Sequence, residues 1–249
     1  MTRSLFMAFA LVVYAIFLAT FLYLIAFVGN LPWVPVTVDR GPDAPVGTAV
    51  AINLALIAMF GLQHSVMARQ GFKRAWTRIV PKAAERSFYV LAASLMLILL
   101  FVAWRPIYGV VWQVTNPLLV GGLLGLFALG WVIVLTSTFL INHFELFGLQ
   151  QAWFNLRDRA AAAPQLRQPF LYRFVRHPLY SGFFIAFWAT PTMTLGHLLL
   201  ASGMSVYMVL AIRLEERDLV DLFGTDYEQY RENVGMLAPR LGRRSSAAP

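Results

Sequence analysis

The chain has no cysteine, only 12 acidic residues against 20 basic ones, and only 13% charged residues in all. Without cysteine there is no disulfide frame, thiolate metal site or cysteine nucleophile, so any sulfur chemistry falls on a substrate or cofactor. So little charge, beside 59% hydrophobic residues and a mean hydropathy of +0.65, excludes an ordinary water-facing surface. The composition is that of an integral membrane protein. No solvated basic domain is present either, so the net charge of +8 reads as a topology signal and no nucleic-acid partner is expected. The four histidines include no His-x-x-His or His-x-x-x-His spacing, and no metal site is expected.

What the chain does have is long apolar runs. Leu5 to Val28, Gly47 to Met67, Phe88 to Trp104 and Pro117 to Ile141 each approach the roughly 20 residues that cross a hydrocarbon core. The loop after the second run holds Arg69, Lys73, Arg74, Arg78, Lys82 and Arg86, and the one after the fourth holds Arg157, Arg159, Arg167, Arg173 and Arg176. Both loops are therefore expected in the cytoplasm. Gly121, Gly122, Gly125 and Gly130 in the fourth run predict close approach of neighbouring helices.

The stretch from Phe170 to Pro239 organises the rest. Arg176-His177-Pro178 leads into a short apolar segment of about twelve residues, roughly 18 Å as a helix. A break at Thr190-Pro191-Thr192 then returns the chain through Leu195 to Ile212 to Glu215-Glu216. This predicts a helix hairpin with both ends cytoplasmic, followed from Arg213 to Val234 by an amphipathic cytoplasmic helix. The expected architecture is all-α: a polytopic transmembrane helix bundle of four long spans plus the C-terminal hairpin, one membrane-embedded domain over residues 1–249. The basic, small-residue stretch from Gly242 onward is expected to fray, and His197, at the hairpin turn, is expected to be solvated or interfacial.

Three polar sets fall at the cytoplasmic depth: His64 in Gln63-His64-Ser65, His143 and Glu145 after the fourth span, and His177 with Glu215 and Glu216 at the hairpin mouth. Ionisable groups at that depth are costly to keep, which makes them functional candidates. Glu85, Arg86 and Tyr89 open the third span as partners for His64, with Glu85 and Tyr89 on one helix face. His143 and Glu145, two apart, cannot face one point on a continued helix.

Arg176, His177, Pro178, Tyr180, Gly182, Glu215, Glu216, Phe223, Gly224, Tyr227 and Tyr230 together resemble the membrane-embedded methyltransferases of the isoprenylcysteine carboxyl methyltransferase and phospholipid methyltransferase group. The first two thirds, with QHSVMAR, ERSFYVL and INHFELFGLQQ, resemble the methanethiol S-methyltransferase branch, which is close to the NnrU-type membrane proteins. The resemblance implies S-adenosylmethionine held by residues 170–239. The Glu215-Glu216 pair suits its ammonium and ribose hydroxyls, and Arg176 or a helix N-terminus beside His177 and Pro178 suits its carboxylate. Tyr172 and Tyr180 would stack on adenine and Gly182 would permit close backbone approach.

It also implies methylation of a small volatile thiol, methanethiol to dimethyl sulfide, in a bacterial-type inner membrane with the site facing the cytoplasm. The thiolate is the nucleophile, so a base is needed. His143 and His64 are the two candidates, His143 ahead from its place beside the cofactor-side loop. Glu85, Arg86, Tyr89 and Glu145 are the expected substrate-side residues. An isoprenylcysteine carboxylate or phospholipid amine as acceptor, an NnrU-like accessory or transport role, and a nicotinamide-dependent sterol-type reductase remain open at this level. Nothing in the sequence specifies an oligomeric state.

Overall fold

A computed structural model describes residues 2–160 and 165–240. Five helices are long and apolar enough to cross a membrane: α1 (Arg3–Val28), α2 (Val46–Ala68), α4 (Lys82–Ala103), α5 (Pro117–Ile141) and α9 (Leu195–Phe223). Between them lie α3 (Gln70–Trp76), α6 (His143–Leu146), α7 (Leu149–Leu156) and α8 (Pro178–Trp188), with α10 (Thr225–Asn233) at the end. Leu118, Val102, Leu62 and Val132 leave their side chains exposed on these helices, an apolar surface that only lipid can cover. The protein is an integral membrane protein. The stretch from residue 242 onward lies outside the described residues.

Local chemistry sets the boundaries. The Asn116 side chain accepts from the backbone N–H groups of Leu118 and Leu119, and Pro117 supplies the first helical residue of α5. Pro178 does the same for α8, and Thr194 caps α9 by accepting from the N–H of His197. Helix α1 packs on α4, α4 on α2, α2 on α9 and α5 on α8. The core between them gathers Phe27, Trp104, Phe101, Phe187, Leu200 and Met204.

Several expectations are corrected. The fold is not purely helical: β1 (Val110–Gln113) pairs antiparallel with β2 (Thr192–Thr194), with Val110 opposite Thr194 and a bulge before Trp112. This ribbon lengthens the short arm of the hairpin. Helix α8 has 11 residues against 29 in α9, but extended chain covers about twice the distance per residue that a helix does. Its backbone is satisfied by Val114 N to Pro191 O at 2.8 Å, Gly196 N to Ile107 O at 3.0 Å and Trp112 Nε1 to Thr190 O at 3.1 Å. Non-helical chain beside lipid requires that.

No separate helix begins at Arg213. Helix α9 runs unbroken through the charged residues to Phe223, because nothing in the sequence stops it until Gly224, which takes φ 55. Gly121, Gly122 and Gly125 meet no neighbour, whereas Gly130 alone makes the close approach, against Gly182 and Ala186 of α8. His197 is 1% exposed rather than solvated, and its Nε2 donates to the carbonyl of Phe187 at 2.9 Å.

Candidate active site

The hairpin closes as its sequence predicts. Arg176 donates Nε to Glu216 Oε1 at 2.8 Å and uses Nη1 on the carbonyls of Arg231, at 2.8 Å, and Val234. His177 Nε2 donates to the same Glu216 oxygen at 3.1 Å. The chain after α10 runs back over this junction: Arg176 N bonds Gly235 O at 2.8 Å, His177 N bonds Met236 O at 3.1 Å, and Ser181 Oγ bonds Leu237 O at 2.8 Å. Arg69 pairs with Asp218 at 3.0 Å and ties α9 to the end of α2.

The two glutamates are unequal. Glu216 is consumed internally, its side chain 13% exposed, whereas Glu215 is 44% exposed and receives the Tyr180 hydroxyl at 3.1 Å. Tyr180 comes from α8, and Tyr172 and Tyr227 stand on the turn at Phe170–Arg173 and on α10. The Tyr230 hydroxyl donates to the carbonyl of Tyr172 at 2.5 Å. Burial raises the Tyr172 and Tyr227 phenols above their usual range and pushes Tyr230 up to about 12, so all three remain neutral donors. The buried Tyr227 hydroxyl has no partner among the described residues. An orphaned donor beside an open carboxylate fits a polar ligand bearing amine and hydroxyl groups.

Next to this mouth stands the His64 set. His64 Nε2 lies 2.7 Å from the Tyr89 hydroxyl, its ring stacks on Phe60 at 5.3 Å and meets Tyr207 edge-on at 6.3 Å, and its buried Nδ1 has no partner among the described residues. The Arg86 guanidinium sits 4.7 Å over the Tyr89 ring and donates Nε to the Leu146 carbonyl at 2.7 Å. Glu85 is half-buried one turn before Tyr89.

His143 is different. α5 ends at Ile141, and Asn142 starts a new short helix by accepting from the N–H of Glu145. His143 turns inward and Glu145 outward, where the Asn142 amide holds it at 2.9 Å. Thr138 gives its proton to the Leu135 carbonyl and so accepts from His143 Nδ1 at 2.8 Å, while His143 Nε2 accepts from Tyr14 at 2.8 Å. Both ring nitrogens are spoken for, and burial lowers the affinity of the ring for a further proton. His64, His143 and His177 thus sit in three separate sets of partners.

Of the expected cofactor residues, Arg176 and His177 brace Glu216, Pro178 starts α8, and Tyr180 engages Glu215. The space beside Gly182 is filled by α5, since an added Cβ would lie 2.6 Å from the Gly130 carbonyl oxygen. Tyr207 and Phe60 were not singled out from sequence. A signal existed: Tyr207 lies eight residues before Glu215 and Phe60 four before His64, each on the same helix face.

Residues 117–226 match the phospholipid methyltransferase family, a class of methyltransferases. Methanethiol S-methyltransferase 1 of Bradyrhizobium diazoefficiens is 54% identical over 91% of this chain and 79% of its own length. Methanethiol S-methyltransferase of Mycobacterium tuberculosis is 52% identical over 91% of this chain and 92% of its own. The chain belongs to the methanethiol S-methyltransferase family. A nurim homologue of Drosophila pseudoobscura pseudoobscura is a more distant relative, 33% identical over 71% of this chain and 72% of its own. No solved structure matches the chain.

Proposed function

We propose that this protein methylates methanethiol to dimethyl sulfide with S-adenosylmethionine, at a site on the cytoplasmic side of the membrane. The observation that carries the reading is Glu215, the open carboxylate that receives the Tyr180 hydroxyl at the mouth of the hairpin. The relatives with high identity over most of their length, named for this activity, support the acceptor. The basic loops at the same end of the bundle support the cytoplasmic side.

S-adenosylmethionine, when bound, supplies an activated methyl on a sulfonium. Glu215 and the Tyr227 hydroxyl hold its ammonium and ribose hydroxyls, with Tyr180 and Tyr172 alongside, in the segment 170–239. Arg176, His177 and Glu216 fix the geometry of that segment rather than touching the ligand.

Of the two candidate bases, the geometry favours His64 over His143. With Nε2–H donating to the Tyr89 oxygen, His64 keeps a free lone pair on Nδ1, and this atom takes the thiol proton. Arg86 over the Tyr89 ring supplies positive potential that favours the thiolate in an otherwise apolar site. His143 holds the junction of α5, α6 and α1. Glu85 shapes the entrance with Arg86, and Glu145 faces outward.

Cells expressing the protein and fed methanethiol are expected to release dimethyl sulfide into the headspace, and His64→Gln cells are not. Wild-type cells that release none while the purified protein binds S-adenosylhomocysteine would remove methanethiol as the acceptor.

A further inference from the structure

A groove of about 380 Å³ runs along the outer seam of α2 and α4, lined by Met59, Leu62, Gln63, Val66, Met67 and Met96. Leu62 is 67% exposed and Met59 and Val66 stand open beside it, so the groove faces lipid. Two features separate it from an ordinary gap between helices. The first is polar: Gln63 donates Nε2 to the Met67 sulfur at 3.1 Å, while its Oε1 is buried without a partner among the described residues. An unmatched acceptor in an apolar wall is costly, and the next residue, His64, carries an Nδ1 unmatched among the described residues as well. The second is continuity: Met67 lines the groove on one side and on the other packs against the cluster of Tyr89, Val90 and Val13. One flexible side chain therefore stands between the lipid-facing groove and the Tyr89–His64 pair.

We infer that this groove is a binding and entrance site for small alkyl thiols taken from the bilayer, with the S–H donating to Gln63 Oε1 and the alkyl group among the methionines. This rests on the methyl-transfer reading and adds where the acceptor is collected. A short alkyl thiol partitions into hydrocarbon, so its concentration beside α2 and α4 exceeds that in water. Polarizable thioethers and one weak-donor acceptor match such a molecule better than they match water, which needs two to four polar partners. Met67 changes rotamer to admit the thiol to His64, and dimethyl sulfide, which lacks the S–H, loses the Gln63 contact and leaves to lipid.

Two measurements on the full chain in nanodiscs test this. In kinetics, Leu62→Trp fills the groove and is expected to raise KM for methanethiol about tenfold with kcat unchanged; Met96→Ala widens it and is expected to shift kcat/KM about fivefold toward propanethiol. In labelling, a short alkyl-diazirine thiol irradiated with the wild-type protein is expected to mark Met59, Met67 or Met96, with methanethiol competing. Labelling elsewhere only, or labelling without competition, overturns the inference, as do unchanged KM and thiol preference in both variants. A wild-type protein that is labelled in the groove but makes no dimethyl sulfide would sink the methyl-transfer reading and leave the groove standing. An active enzyme with an unlabelled groove does the reverse.

Discussion

Arg176 and Glu216, 40 residues apart in the chain, meet at 2.8 Å with side chains 10% and 13% exposed. Removing one partner of such a pair strands a buried charge. Glu216→Ala is expected to cost about 3–5 kcal/mol of stability, read as a large fall in melting temperature with or without ligand.

Glu215, one residue earlier, is expected to behave in the opposite way. Glu215→Gln should leave the stability of the unliganded protein within about 0.5 kcal/mol of wild type, as for exposed substitutions, while weakening S-adenosylhomocysteine about tenfold or more. Tyr227→Phe provides a sharper contrast. Because the hydroxyl is buried and unpartnered, its loss should leave the free protein as stable or more so and still weaken the ligand. Isothermal titration beside thermal melts reads both, and parallel losses in the two would refute the assignment.

The two histidines separate by the same logic. His64→Gln is expected to lower kcat by about a hundredfold or more and to remove the acid limb of the pH–rate profile. His143→Gln is expected to lower stability by about 1–3 kcal/mol through its lost bonds to Tyr14 and Thr138, leaving the shape of that profile intact.

His143 also sets a pH dependence of stability. Burial holds its folded-state affinity for protons below that of the unfolded chain, whose histidine has a pKa of about 6.5. Below that value the unfolded state binds the extra proton first, so stability is full above about pH 6.5 and declines as the pH falls through it. Melting temperatures between pH 7.5 and 5 should show a slope that flattens in His143→Gln. An equal slope in both would place the titration elsewhere.

Much of this was legible in the residues. Helix α5 matches its apolar run from Pro117 to Ile141 because an Asn-Pro start and an Asn stop bound it. The meeting of Arg176-His177 with Glu215-Glu216 follows from the length of the hairpin and the break at Pro191. What stayed hidden depends on partners far along the chain. The ribbon needs Val110 to find Thr194, the burial of His197 needs the Phe187 carbonyl, and the choice of Glu215 over Glu216 as the open carboxylate depends on where Arg176 points. The partners of His143 were hidden for the same reason: neither Tyr14 nor Thr138 advertises itself as a histidine partner in sequence.

Methyl transfer itself is tested most directly with purified protein, methanethiol and S-adenosylmethionine carrying a deuterated methyl group, with the headspace read by mass spectrometry. Dimethyl sulfide bearing one deuterated methyl, absent with Glu215→Gln at low donor concentration and absent with His64→Gln, is the predicted result. Unlabelled dimethyl sulfide, or none from a protein that binds the donor, would contradict it.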